Sequence, residues 1–241
     1  MASALARGLG EPLIVSDAIT QRAQDLVTEL GTGEVSSNVG VAEQADLVVL
    51  CHKPKQLAQV AEEIAGKPRS VVSILGGVPL SKLEAAYPDT PVYRFMPNVC
   101  AEVAKAALCY APGALASQGP EREILELFSR VGTVIEIDDS LMDTATALCG
   151  CAPAFFALFA EALADAGVRF GLEHTDAITM ACQSMLGTAE LLKANDYDTA
   201  ALRRRVTSPG GSTARGIGAL ERDAVRGAMQ NAVAAVVEGK A

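Results

Sequence analysis

The sequence predicts an α/β layer followed by an all-α half, and three observations carry that reading. Short apolar runs alternate with helical stretches as far as Ile137, and the strand signal disappears after Asp138. Half of the residues are hydrophobic, so a chain of 241 residues can bury a substantial core. Pro12 to Val15, Asp46 to Leu50, Val71 to Ile74, Val92 to Phe95 and Val131 to Ile137 are expected as strands. Between them, Ala18 to Leu30, Lys55 to Ile64 and Glu121 to Arg130 have helical spacing. Alternation of this kind indicates a mainly parallel sheet. The expected domains are residues 1–137 and 138–241, meeting without a linker or internal repeat.

The second half is expected as successive helices: Ser140 to Leu148, Pro153 to Val168, Thr175 to Lys193, Thr199 to Arg205, Ser212 to Leu220 and Asp223 to Val237. Ala154 to Phe159 and Ala177 to Leu186 carry no charge, and a helix apolar on more than one face needs more than one neighbour to cover it. A domain of this size is expected to find that cover in another subunit, as a homo-oligomer.

A net charge of -9 and a pI near 4.8 disfavour partners whose recognition rests on phosphate neutralisation, so neither nucleic acid nor an anionic membrane surface is expected. Small metabolites fit better. The longest uncharged stretch, Thr144 through Ala160, is interrupted by Gly150 and Pro153 and is too short to cross a bilayer. The first residues, MASALARGLGE, hold charges where a secretory signal needs an apolar segment, which points to the cytoplasm. Six cysteines without a C-x-x-C pair and only two histidines offer no metal site and no disulfide framework, so reduced thiols are expected.

In a parallel sheet, ligands gather at the carboxyl ends of the strands. Three such ends combine small or rigid residues: Cys51-His52-Lys53-Pro54, Leu75-Gly76-Gly77 and Met96-Pro97-Asn98. Any one of them reads better as ordinary strand termination, but the three together shift the balance toward a cleft. Cys51 and His52 are neighbours on an extended segment, point to opposite faces and form no nucleophile–base pair. Cys149-Gly150-Cys151 has the wrong spacing for a redox motif.

The stretch VTSPGGSTARGIGALE, residues 206–221, stands apart. Pro209 stiffens the entry, Gly210 and Gly211 let the backbone approach a ligand, and Ser212-Thr213 open a helix whose first amides attract an anion such as a carboxylate. The competing reading is an ordinary helix start capped by Ser208 or Ser212.

Together with MASALARGL, the Lys53-Pro54 pair, RFMPN at Arg94 to Asn98 and LMDTATALCGCAPAFF at Leu141 to Phe156, that stretch resembles the pyrroline-5-carboxylate reductase family over nearly the whole chain. The resemblance implies a Rossmann-like nicotinamide domain followed by a helical dimerisation domain, and an enzyme that passes hydride from NAD(P)H to the C=N bond of 1-pyrroline-5-carboxylate, giving L-proline. It implies a homodimer, with a decamer built from dimers as the larger ring. Carried over by position, Gly211 and Ser212 hold the substrate carboxylate and Thr213, the catalytic residue, contacts the ring nitrogen. Asn38, Lys53, Pro54, Met96, Pro97 and Asn98 contact the cofactor. NADP is favoured and NAD is the other choice, because Ser16-Asp17 lacks the arginine that commonly follows in NADP-using members, while Arg22 stands nearby.

Three features depart from the family pattern. Cys149-Gly150-Cys151-Ala152 replace the usual Ser-Gly-Ser-Gly, and Phe155 stands for tyrosine. Ser16-Asp17 is the second departure. The third is the start: Met1 to Leu5 resembles the helix that follows the family's first strand and glycine-rich turn, so that strand and turn are expected to be missing. Two other readings compete. A non-catalytic oligomeric remnant would have lost cofactor binding, and a related hydroxyacid dehydrogenase would carry a lysine in Pro153 to Ala166, where there is none.

Overall fold

The computed structural model describes residues 1–239. By packing, the chain divides into two units, Met1–Pro153 and Ala154–Ala241.

The first unit begins with helix α1 (Ala2–Leu9), then β1 (Ile14–Val15), α2 (Thr20–Leu30), β2 (Glu34–Val35), α3 (Asn38–Gln44) and β3 (Val48–Leu50). It continues through α4 (Leu57–Glu63), β4 (Val71–Ser73), α5 (Leu80–Ala86), β5 (Val92–Met96), β6 (Ala106–Pro112), α6 (Glu121–Ser129) and β7 (Gly132–Glu136). β3 to β7 form one sheet in chain order, parallel throughout except where β6 runs antiparallel to β5. β1 and β2 pair only with each other, so the strands form two sheets where one was expected. The five expected strands are present. β2 and β6 are additions: β2 is two exposed residues, and the alanines and terminal proline of β6 give little β signal.

The strand sequences explain the layers. All five residues of β5 are buried, as expected for an inner strand covered on both faces. Side chains alternate across a strand, so Val72, Tyr93 and Phe95 pack on one face with Leu108, Tyr110 and Phe128, while Val71 and Val92 pack on the other with Ile64, Leu83 and Tyr87. Phe95 stacks on Phe128 with ring centroids 4.3 Å apart and meets Tyr110 at 4.9 Å. The buried hydroxyl of Tyr93 donates to the Ala116 carbonyl at 2.8 Å, whereas that of Tyr87 has no partner among the described residues.

After β7 the chain makes a 3-10 turn (Asp139–Leu141), one α-helical turn, α7 (Met142–Ala145), and a π-helical turn (Thr146–Gly150) before α8 (Ala152–Arg169). The single helix expected over Ser140 to Leu148 is thus a series of turns. Cys151 N bonds the Thr146 carbonyl five residues back at 3.0 Å, which defines the widened turn.

The second unit is all helix: the rest of α8, α9 (His174–Lys193), α10 (Thr199–Arg205), α11 (Ser212–Arg222) and α12 (Val225–Glu238). Its fully buried residues are Ala160, Ala164, Ala177 and Ala181 among those described. Its large apolar side chains lie outside, with Phe170 84% and Leu158 64% exposed. By length and composition the 31-residue run Asp139–Arg169 could cross a membrane. The expectation drawn from the shorter uncharged stretch did not anticipate this, because helical turns extend the run beyond Thr144 and Ala160. The run is nonetheless broken by the π turn and carries Asp143, Glu161 and Asp165.

Two outcomes follow from this packing. Phe128→Ala empties a fully buried site beneath Phe95 and should destabilise the first unit by about 3–5 kcal/mol, read from the denaturant midpoint of its unfolding transition. Burial pushes the Tyr87 hydroxyl from 10.0 up to about 12, so folding favours the protonated form. That stability is complete below pH 10 and is lost as the pH rises through about 12. Tyr87→Phe should leave the thermal midpoint at neutral pH unchanged or higher, and should flatten its fall across that alkaline window.

Candidate functional site

The register of the main sheet builds the first part of the site. Leu50, Ser73 and Arg94 lie side by side across β3, β4 and β5, so the loops beyond them leave the same edge. These are Cys51 to Pro54, Ile74 to Gly77 and Pro97-Asn98. The structure therefore brings Lys53, Pro54, Met96, Pro97 and Asn98 to one edge, while Asn38 opens α3 beyond β2 in the smaller sheet.

Each position has its own local cause. Lys53 starts a 3-10 turn in which its amide donates to Gln56 Oε1 at 3.1 Å, and its side chain is exposed. His52 turns Nδ1 to the Lys53 carbonyl at 3.0 Å, leaving Nε2 buried without a partner. Asn38 follows Ser37, whose hydroxyl caps α3 by accepting from Gly40 N, and its Nδ2 donates to Glu63 Oε2 at 2.9 Å.

Asn98 is buried, and its amide is used at both ends: Oδ1 accepts from Cys100 N at 3.1 Å and Nδ2 donates to the Cys149 carbonyl at 2.9 Å. Its side chain ties the end of β5 to the π turn. This anchoring was not foreseen from the Met-Pro-Asn pattern. Met96 and Pro97 are buried alongside it.

A second anchor was also missed. Arg94, 3% exposed, donates through Nη1 to Asp139 Oδ1 at 2.6 Å, and Asp139 Oδ2 accepts from Leu80 N at 3.0 Å. One carboxylate thus joins β5, the first turn of α5 and the turn after β7. The signal was an arginine between Tyr93 and Phe95 in an apolar strand, because a charge placed there must be paired.

In the second unit, residues 208–213 show how the quoted stretch works. Gly211 N donates to the Ser208 carbonyl at 3.0 Å, closing a turn with Pro209 second and Gly210 third. Gly210 has φ 69°, the left-handed value that the third position of a type II turn requires. A Cβ on Gly211 would collide with the Ser208 hydroxyl. Arg215 Nη1 closes the far side on the Gly210 carbonyl at 2.8 Å.

No side chain caps α11, so neither Ser208 nor Ser212 acts as the expected cap. The first helical amide with a partner is Arg215 N, bonded to the Gly211 carbonyl at 3.2 Å. The amides of Ser212, Thr213 and Ala214 remain open beside the exposed Thr213 hydroxyl, which is the arrangement that binds an anion. The amide of Gly211, expected to help hold a carboxylate, is itself committed within the turn. A cavity of about 280 Å³ lined by Arg203, Arg204, Thr207 and Ile217 lies in the same unit.

An open groove of about 630 Å³ runs between α4 and α5, lined by Ala58, Ala61, Glu62, Lys82 and Ala85. Pro54 and Lys55 also line it, so it opens next to the loop that follows β3. Among the described residues no cluster of three or more His, Cys, Asp or Glu can hold a metal.

Comparison with known proteins agrees with this layout. The family model for pyrroline-5-carboxylate reductase dimerisation matches residues 139–241, and that for NADP oxidoreductase, coenzyme F420-dependent, matches residues 1–77. The dimerisation match spans the apolar run Asp139–Arg169. A pyrroline-5-carboxylate reductase of Methanosarcina acetivorans is 37% identical over 97% of this chain and 90% of its own. That of Synechocystis is 38% identical over 82% and 75%. The 1-pyrroline-5-carboxylate reductase of Streptococcus pyogenes superposes with a TM-score of 0.88 at 30% identity, covering 99% of this chain and 93% of its own. The Plasmodium falciparum pyrroline carboxylate reductase, solved with NADP bound, gives 0.85 at 29% identity over 98% and 92%. With a largely parallel sheet of the dinucleotide-binding type, an uncapped helix start at Ser212 and relatives matched over nearly its full length, this chain belongs to the pyrroline-5-carboxylate reductase family.

Proposed function

We propose that the protein reduces 1-pyrroline-5-carboxylate to L-proline. The observation that carries this reading is the turn at 208–213, where open amides for a carboxylate sit beside the exposed Thr213 hydroxyl in a chain of this family. The relatives described all carry the reductase name, which favours it over a non-catalytic remnant or a hydroxyacid dehydrogenase.

The chain's own groups suit a nicotinamide dinucleotide. The orphaned Nε2 of His52 lies at the edge where Lys53, Pro54, Met96 and Pro97 gather, and the space beside Gly76 and Gly77 is open. In this reading Lys53, Pro54, Met96 and Pro97 would line the nicotinamide side of the site. Asn98 keeps that wall in place through the Cys149 carbonyl, and Asn38 would contact the cofactor. NADP is the favoured form: the P. falciparum relative holds it, Asp17 is engaged by the Ile19 amide at 2.8 Å, and Arg22 is exposed for a phosphate. NAD is the alternative. The reduced cofactor, when bound, supplies the hydride.

The protein's part is to orient. The amides of Ser212 and Thr213 hold the carboxylate, fixing the small ring by one end. A protonated imine nitrogen donates to the Thr213 hydroxyl oxygen and remains hydrogen-bonded there as it becomes an amine. The imine carbon is electrophilic in its protonated form, so no histidine is needed, and alignment alone can supply several kcal/mol of the barrier, on the order of 7 or more in favourable cases.

The domain boundary is proposed at 137/138, where strands give way to turns, with 139–153 packing as part of the first unit. The exposed apolar faces of α8 and α9 pair two subunits, and the dimers assemble further into a decamer. The reading includes a cytoplasmic location, supported by six free thiols.

Purified protein should oxidise NADPH only when 1-pyrroline-5-carboxylate is present, followed by absorbance; no substrate-dependent oxidation with either NADPH or NADH overturns the assignment. Thr213→Ala should lower kcat by about tenfold to a hundredfold with an unchanged circular dichroism spectrum, the range set by one lost hydrogen bond to a charged group. Light scattering at micromolar concentration should return a dimer or a multiple of it, and a monomer would contradict the pairing of α8 and α9.

A further inference from the structure

Two thiols that the proposed reaction does not use lie against each other in the first unit. Cys109, on β6, and Cys149, in the π turn, are both buried, and their Sγ atoms are 3.7 Å apart. Among the described residues the other four cysteines have no thiol neighbour: Cys51 and Cys182 are exposed, and Cys100 and Cys151 are half-buried. The pair also touches the Met96–Asn98 loop. Cys149 Sγ lies 3.7 Å from the Met96 carbonyl, and the Cys149 carbonyl holds Asn98 Nδ2 at 2.9 Å.

We propose that Cys109 and Cys149 are a modification site that closes to a reversible disulfide under a peroxide and thereby weakens the cofactor wall at Met96–Asn98. The S–S bond requires the sulfurs to move from 3.7 Å to about 2 Å. Cys109 lies within a strand paired on both sides, so the movement falls to Cys149, whose π turn is a local widening and not a regular ladder. The same residue carries the Asn98 tether. Drawing it toward β6 shifts the carbonyl that holds β5's end.

The chemistry is set up by the pair itself. The Cys149 S–H stabilises a thiolate at Cys109, lowering that thiol below its ordinary value, while the same contact raises Cys149. The Cys109 thiolate attacks one oxygen of hydrogen peroxide, the O–O bond breaks, and a sulfenic acid forms as the departing hydroxide becomes water. Cys149 sulfur then attacks the Cys109 sulfur, the S–O bond breaks, and a second water leaves with the thiol proton. Two thiols and one peroxide give one disulfide and two waters, and a dithiol reductant reverses it.

The consequence for the cofactor rests on the reductase reading; the crosslink does not. Full-length protein is treated with hydrogen peroxide, denatured, alkylated and digested without reduction. The expected result is a linked peptide pair joining Cys109 to Cys149 that dithiothreitol abolishes and that neither Cys109→Ser nor Cys149→Ala yields. Finding both cysteines alkylated after the exposed Cys51 and Cys182 have oxidised overturns the site, as does a crosslink to any other cysteine. In parallel, NADPH is titrated by its fluorescence. The crosslinked protein should bind several-fold more weakly than the reduced one, with Cys109→Ser insensitive to peroxide, and equal affinity in a crosslinked sample overturns the coupling. A protein that crosslinks but binds neither NADPH nor NADH in either state refutes the coupling and the reductase reading together while leaving the modification site standing.

Discussion

A guanidinium inside an apolar sheet is tolerated only if a carboxylate reaches it, and that requirement organises the first unit. Arg94 is buried between Tyr93 and Phe95, and Asp139 is its partner. Removing one member of such a pair typically costs about 3–5 kcal/mol, because the survivor is left as a buried, uncompensated charge. Since the other oxygen of Asp139 accepts from Leu80 N, meeting the charge requirement also fixes where α5 starts after the Gly76-Gly77 loop. Two residues farther along β5, the Met96-Pro97-Asn98 wall inherits this rigidity. Asn98 extends it by gripping the π turn.

Legibility followed physical signal strength. The strands around Val48, Val71 and Val92 were readable because β-branched runs bounded by turns have few other homes. β6 was not, since its alanines carry weak preference and its burial comes from lying between β5 and β7. β2 is two residues long and exposed, too little for any pattern to declare. Helices α8 to α12 were legible almost to their ends, because long periodic segments average out local ambiguity.

At the site, Pro209 and Gly210 announced a turn through backbone rules alone, and the structure adds how it is closed. Which amides stay open depends on hydrogen bonds that composition cannot assign; Gly211 N bonds Ser208, so the free set starts one residue later. The Asn98 tether and the contact of Cys109 with Cys149 join residues 51 and 40 positions apart. Pairings of that range are set by topology, which local pattern does not reveal. The substitution of cysteine for the family's serine was visible, but its neighbour on β6 was not.

Among the described residues the second unit fully buries only alanines, and alanine contributes little of the hydrophobic burial that offsets chain entropy. Its large side chains gain that contribution where another subunit covers them. Mass action then governs its survival: diluting the protein favours separated subunits whose helices have lost their cover, so the melting temperature should climb with concentration. Folding of this half and association are one equilibrium.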